Sequence, residues 1–373
     1  MKKLTKKDFL KIIDLQENNI LEDNIIPRIS SSKIIEFRVG KSFVYKITDN
    51  KALINIQESL NKNFLYHISL NNCVTSFRKN YSYLDFFEPH RKNYHFIRLD
   101  IKNFFYSITR ELIKKEFSEY FQKGVYIDDE MTQTLLDAFL NLVTYTIPDN
   151  SLNVTFKNKD ILPIGFLSSP MISNIIFRRL DLQIQHFCSL RNIVYTRYAD
   201  DMLFSTQRNF DYIHSENFLN EIRILLFQMN FKLNTEKILK AKHTLSLNGY
   251  TIQYSSYQDD FIKIMKEEES ILIHEFRISN KKIDIIKKLI YLKKKKKSTA
   301  KVILKKLFQY ELSTGIPEQK IDQYYDIQLL NKITGYRSYL ISILLFNKRY
   351  QCTQDKTINK YKKIIEDLNS LIK

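Results

Sequence analysis

The chain has 373 residues, 44% of them hydrophobic and 27% charged, and its 59 Lys and Arg against 41 Asp and Glu give a net charge of +18. These are the proportions of an ordinary globular protein long enough for two or three lobes and a sizeable core. No apolar run approaches the ~20 residues of a membrane span, and Asp8 and Asp14 interrupt the basic N-terminus before a secretory segment can form, so a cytoplasmic protein with no membrane partner is expected.

Cys73, Cys188 and Cys352 are scattered and in no metal-ligand spacing, which reads as reduced thiols rather than a disulfide framework. The positive charge suits a polyanionic partner, although an AT-rich genome would enrich Lys, Asn and Ile by itself. Its distribution is more specific: Lys281 to Lys306 holds twelve lysines and one acid, Asp284.

In chain order, the first ~30 residues read as a leading helix from their apolar spacing. Phe37 to Ile47, aromatic and β-branched around Gly40-Lys41, reads as a hairpin, and Ala52 to Phe64 returns to helical spacing. Phe96 to Ile101 is a short buried strand carrying Asp100, and helices follow over Arg110–Phe121 and Asp128–Leu142. Pro163 and Gly165 mark a turn before a helix from Ser169-Pro170 towards Cys188. Ile193–Tyr198 and Met202–Ser205 are strands around an Ala199-Asp200-Asp201 corner, and Phe218 to Met229 is one face of a further helix. Two short strands are expected near Leu245–Ile252 and Phe261–Ile264, with only helices beyond Lys266. The result is an α+β core with a basic helical appendage.

Asp100 and the Asp200-Asp201 pair carry the chemistry. An Asp pair at a turn is usually solvated, but Tyr195 to Ser205 is largely apolar on both sides, so this pair tips a buried hairpin. If the two strands are neighbours, the carboxylates face one point, raise one another's pKa and call for a bound cation. Mg²⁺ takes a few carboxylates plus substrate phosphates, and two such ions about 4 Å apart can activate a 3′-hydroxyl and stabilise leaving pyrophosphate.

Four segments in order carry a family resemblance: Leu99-Asp100-Ile101-Lys102-Asn103-Phe104-Phe105, then Leu162-Pro163-Ile164-Gly165 continuing to Ser173-Asn174, then Tyr198-Ala199-Asp200-Asp201, then Leu233-Asn234-Thr235-Glu236-Lys237 with Asn248-Gly249-Tyr250. Over roughly residues 35 to 265 the chain resembles reverse transcriptases. The resemblance implies a right-hand polymerase: N-terminal helices and fingers over 1–95, an antiparallel-sheet palm over 96–265 with a fingers insertion around 110–165, and a helical basic thumb over 266–373. It implies Asp100, Asp200 and Asp201 as ligands of two Mg²⁺, or Mn²⁺ in their place, with the carbonyl of Ile101 as an extra ligand. It makes Lys237 the proton donor to pyrophosphate and Phe105 a steric gate against a 2′-hydroxyl. Gly165 would let backbone approach the deoxynucleoside triphosphate, Lys41 and Lys46 would grip its phosphates, and Ser169 and Asn174 would line the template. Ile164 replaces the family's usual Gln, which removes one hydrogen bond near nucleotide or template.

Within that family the chain most resembles bacterial retron enzymes, on Tyr195 to Asp201, its compact length and Leu330 to Leu340. The implied function is copying part of a structured non-coding RNA into branched multicopy single-stranded DNA that serves anti-phage defence with a separate effector protein. Two retron marks are altered, at Phe86-Phe87-Glu88-Pro89-His90 and Leu247-Asn248-Gly249. Lys293, Lys294, Lys295, Lys296 and Lys297 would meet phosphates of the folded RNA. The competing readings are an abortive-infection enzyme with protein-primed synthesis and a catalytically weak RNA-binding scaffold.

Overall fold

The computed structural model describes residues 3–14, 18, 20–48, 50–254, 274–295, 298–310 and 318–372. The chain divides into two compact units, the first formed by 1–86, 97–205 and 212–240 and the second by 87–96, 206–211 and 241–373.

In the first unit, α1 (Lys6–Ile13) is far shorter than the expected leading helix. Thr5 caps its start, and Asp14 ends it by turning into the left-handed region at φ 47°. β1 (Ile34–Val39) and β2 (Ser42–Ile47) form the expected antiparallel hairpin around Gly40, and α2 (Lys51–Asn63) follows. β3 (His95–Asp100) is buried along most of its length. α3 (Arg110–Phe117) matches expectation, whereas α4 (Leu135–Val143) starts seven residues later than read. The Asp128 carboxylate is why: it accepts the Thr132 and Gln133 amides at 2.7 and 2.9 Å, which holds a turn where helix was expected.

β4 (Tyr145–Thr146) and β5 (Asp160–Ile161) form a minimal ladder, and α5 (Ser169–Ser189) is the longest helix of this unit, with Pro170 in its first turn. β6 (Val194–Tyr198) and β7 (Asp201–Thr206) are antiparallel neighbours, and α6 (Glu216–Phe227) packs against α5. β8 (Leu239–Lys242) completes a four-stranded sheet in the order β6-β7-β3-β8. β7 therefore lies next to β3, the adjacency that the acidic positions require.

In the second unit, β9 (Thr244–Leu247) and β10 (Tyr250–Tyr254) are separated by Asn248 and Gly249, both at positive φ, so the segment read as one strand is a hairpin. A Cβ on Gly249 would come within 2.8 Å of the Tyr339 hydroxyl. β11 (His274–Ile278) pairs antiparallel with β10 and corrects the expectation of helices alone beyond Lys266. Five residues are too few for periodicity to separate strand from helix, and the pairing edge decides. The strand expected at Phe261–Ile264 lies outside the described residues. Helices α7 (Asn280–Lys294), α8 (Ala300–Phe308), α9 (Ile321–Tyr350) and α10 (Asp355–Ile372) follow. The α9–α10 connection and α10 itself hold the sheet through a Phe276 amide to Cys352 carbonyl bond of 2.7 Å and an Ile278 amide to Tyr361 hydroxyl bond of 2.9 Å.

The three cysteines are buried and free, and no described helix is long and apolar enough to cross a membrane. His90 is an ordinary packed histidine, its pKa pushed down to about 3 by burial.

Candidate active site

Asp100 closes β3 and is 2% exposed. In the same sheet, β6 and β7 are joined by the two-residue corner Ala199-Asp200, with Tyr198 paired to Asp201. Ala199 adopts φ +54°. That backbone costs an L-residue about 1–2 kcal/mol and persists only where the surroundings impose it. The Ile101 amide donates to the Asp200 carbonyl at 3.0 Å, which ties the end of β3 to the corner. Asn234 holds Asp100 twice, its amide N–H donating to the carbonyl at 2.8 Å and its Nδ2 to Oδ1 at 3.0 Å.

Two cations enter this acidic cluster. Arg98 Nη2 donates to Asp100 Oδ2 at 3.2 Å and also to Asp201 Oδ1. Lys237 Nζ lies 3.0 Å from the same Asp100 Oδ2. Burial, then the charge of Asp100, raises the pKa of the Asp200 carboxyl. Asp201 is pushed up to about 6, mainly by burial and secondarily by Asp200, with Arg98 opposing.

Among the described residues no three His, Cys, Asp or Glu side chains stand in a metal-holding array. The three carboxylates lie along one sheet, and Arg98 pairs with two of them, Asp100 and Asp201. The donor chemistry of Asp100 and Asp200 still fits a hard cation. Both are poorly solvated oxygen donors whose mutual repulsion a divalent ion would relieve, and Mg²⁺ usually takes only one or two carboxylates beside substrate phosphates.

The other expected residues divide. Phe105 is part-exposed at the first position of a 3₁₀ turn, whereas its neighbour Phe104 is buried against Phe177 and Phe231. Lys41 and Lys46 are exposed on the β1–β2 hairpin. The same hairpin docks on the segment after Asp100, where the Tyr106 hydroxyl donates to the Phe43 carbonyl at 2.6 Å.

Three expectations require correction. A Cβ on Gly165, at φ +113°, would lie 2.5 Å from the Tyr45 carbonyl oxygen, so the packing of β2 by itself requires glycine here. Ser169 is 1% exposed and donates to the Pro163 carbonyl at 2.7 Å. Asn174 is fully buried, donates to the Ser76 carbonyl at 2.9 Å and accepts from Arg197 at 3.1 Å. Neither side chain reaches a surface where a template could lie.

Of the lysine run, Lys293 and Lys294 end α7 and Lys295 caps it, while Lys296 and Lys297 lie outside the described residues. Lys294 pairs with Asp367 at 2.5 Å and Lys295 sits over the Tyr291 ring at 4.5 Å, so two of the five already have partners.

The sequence reading missed two features. Arg98 had a usable signal, since residues two apart on a strand share a face and Arg98 precedes Asp100 by two. The second is an open cavity of about 720 Å³ bordered by Tyr66, Phe77, Arg78, Lys79, Leu167 and Met171, with no acidic residue in its wall. Tyr66 is 60% exposed, and Phe77 holds φ +56°, an outlier for a bulky side chain. The Phe77 ring packs on Tyr198, the residue before the acidic corner, at 6.2 Å between centroids. No local pattern brings these segments together, so sequence alone offered no signal for it.

A family model described as reverse transcriptase (RNA-dependent DNA polymerase) matches residues 35–252. Similar curated proteins include the Retron Ec83 reverse transcriptase of Escherichia coli, 28% identical over 199 residues that cover 53% of this chain and 60% of that one. The Retron Ec86 reverse transcriptase of Escherichia coli is 27% identical over 173 residues, 46% of this chain and 47% of that one. The chain spans about half the length of the curated relatives it matches. A telomerase structure from Candida albicans, in complex with a fragment of telomeric RNA, shares 12% identity at a TM-score of 0.35, covering 92% of this chain and 61% of that one, a likeness too slight to bear on the site.

Proposed function

The chain belongs to the reverse transcriptase family, and on that premise we propose that it is an RNA-directed DNA polymerase of the retron type. One observation carries the reading: Asp100 ends β3, Asp200 stands at the corner that leads into the neighbouring β7, and the Ile101 amide to Asp200 carbonyl bond of 3.0 Å joins them. Similarity to two retron enzymes supports the subfamily.

In this reading Asp100, Asp200 and the Ile101 carbonyl would hold Mg²⁺, which would lower the charge on the incoming triphosphate and acidify the primer 3′-hydroxyl. The protein's own groups do the rest. Arg98 pairs with both Asp100 and Asp201 and would hold the second carboxylate beside the first. Lys237, half-exposed and 3.0 Å from Asp100 Oδ2, would give a proton to leaving pyrophosphate. Phe105, part-exposed five residues after Asp100, would be the gate against a 2′-hydroxyl, and Lys41 and Lys46, exposed on the hairpin, would contribute positive charge to the triphosphate path. The cavity of Tyr66 and Phe77, with Arg78 and Lys79, combines aromatic faces and positive charge as single-stranded nucleic-acid sites do, which suits unpaired template bases.

The proposed substrates are deoxynucleoside triphosphates and a structured non-coding RNA that serves as both template and primer. The product is branched single-stranded DNA acting with a separate effector protein in phage defence. The test is the nucleic acid that copurifies with the protein from its native host, digested separately with RNase and with protease before a denaturing gel. RNase shortening of the DNA species, with no peptide adduct, is the expected result. A species that shifts with protease alone would replace this reading with protein-primed synthesis.

A further inference from the structure

Directly beneath the Ala199-Asp200 corner lies a charged pair that the proposed chemistry does not touch. The Arg197 and Asp181 side chains are both 0% exposed. Arg197 Nε donates to Asp181 Oδ1 at 2.9 Å and Nη2 to Oδ2 at 2.7 Å, a two-point fork, and Tyr195 donates its hydroxyl to the same Oδ1 at 2.8 Å. The remaining Nη1 donates to the Ala199 carbonyl at 3.0 Å and to Asn174 Oδ1 at 3.1 Å. From the other side, the Ala199 amide donates to Ser76 Oγ at 2.9 Å. Both backbone polar groups of Ala199 are therefore held by buried side chains, at the residue whose positive φ makes the corner.

A buried ion pair is a poor device for stability alone, since well-packed apolar replacements are often as stable or more so. A planar five-donor guanidinium can do what an apolar pair cannot: grip a carboxylate with two N–H groups and still aim a third at a backbone carbonyl. A left-handed residue in a buried hairpin persists only when its surroundings over-determine it. Carboxylates that must meet a cation tolerate little displacement.

We infer that Arg197, carried by Asp181, is a positioning residue for DNA synthesis, which grips the Ala199 carbonyl so that Asp200 stays where Asp100 can share its cation. The inference rests on the polymerase reading but concerns residues that touch neither substrate nor metal.

The test uses the full chain with two variants. The double variant Arg197→Met with Asp181→Leu removes both charges and keeps the volume, and Arg197→Lys keeps the charge but loses the fork. Thermal unfolding, primer-extension kcat and KM, and Mn²⁺ binding by water-proton relaxation without substrate are measured for each. The double variant is expected to melt near wild type while kcat falls roughly 10- to 100-fold and Mn²⁺ affinity falls about 10-fold, the scale seen when groups supporting metal ligands are lost. The KM for deoxynucleotide should change far less than kcat. Arg197→Lys should show the same deficits in milder form.

A folded double variant with wild-type kcat and wild-type Mn²⁺ affinity would overturn the proposal and reduce the pair to packing. If the double variant does not fold, Arg197→Lys decides by the same criteria. If the wild-type protein makes no DNA, the polymerase reading fails separately. Mn²⁺ binding then decides the positioning role: a loss in the folded variant upholds it, and no change overturns it.

Discussion

Lys237 Nζ stands 3.0 Å from Asp100 Oδ2, although the lysine side chain is half-exposed and the aspartate almost wholly buried. A solvated lysine gains little from a surface ion pair, so its position here reflects the buried charge that it faces. If Lys237 protonates pyrophosphate, Lys237→Gln should slow the chemical step about 10²-fold at saturating nucleotide, measured in single turnover. If it only balances Asp100, raising Mg²⁺ should restore the variant to the wild-type rate.

Asp200→Asn keeps size and removes charge. DNA synthesis should fall to background while thermal unfolding stays near wild type, because the raised pKa of Asp200 shows that its ionised form is poorly accommodated without a cation. Primer extension close to the wild-type rate would remove Asp200 from the metal site.

Phe105 is part-exposed and packs edge-on to Phe104 at 5.4 Å. Phe105→Ala should relax discrimination against ribonucleotides at least ~10-fold, with little change in deoxynucleotide kcat, as expected when a clash is the basis of exclusion. Unchanged discrimination, read by competing labelled nucleotides, would place the gate elsewhere.

Phe77 is the test of the aromatic cavity. Phe77→Ala should weaken binding of a primer–template with an unpaired template overhang by about 1–3 kcal/mol, the scale of one base–aromatic stack. A blunt-ended duplex should bind nearly as before. Equal weakening of both would mean that Phe77 supports Tyr198 and not a base.

Replacing Lys293, Lys294 and Lys295 together with Lys296 and Lys297 by Gln should weaken RNA binding and flatten its salt dependence. Lys294 and Lys295 already engage Asp367 and Tyr291. The slope of log affinity against log salt should therefore fall by less than the roughly 0.7–0.9 per contact that five free phosphate contacts would give. A slope equal to wild type would show the run to be solvated.

Asp100, the Asp200-Asp201 corner and the β1–β2 hairpin were legible because each is encoded by neighbours within about ten residues: alternation along a strand, an apolar run broken by acids, a glycine between β-branched flanks. The same logic failed where a side chain competes with the helix for backbone amides, or where a distant edge decides. Asp128 took backbone amides that a helix would have used, and His274–Ile278 became a strand because β10 offered an edge. Ser169, Gly165 and Asn174 stand in the expected segment, but whether a side chain meets substrate or backbone depends on what packs against it, and here that is Pro163, Tyr45 and Arg197. The sequence by itself determined where Asp100 and the Asp200-Asp201 pair stand, at the end of one buried strand and at the corner between two others, since the apolar runs on either side encode it. Only the tertiary structure decided that Arg98 meets Asp201 and that Arg197 grips Asp181 and the Ala199 carbonyl, because a guanidinium finds its acceptors when the sheet and α5 close over it.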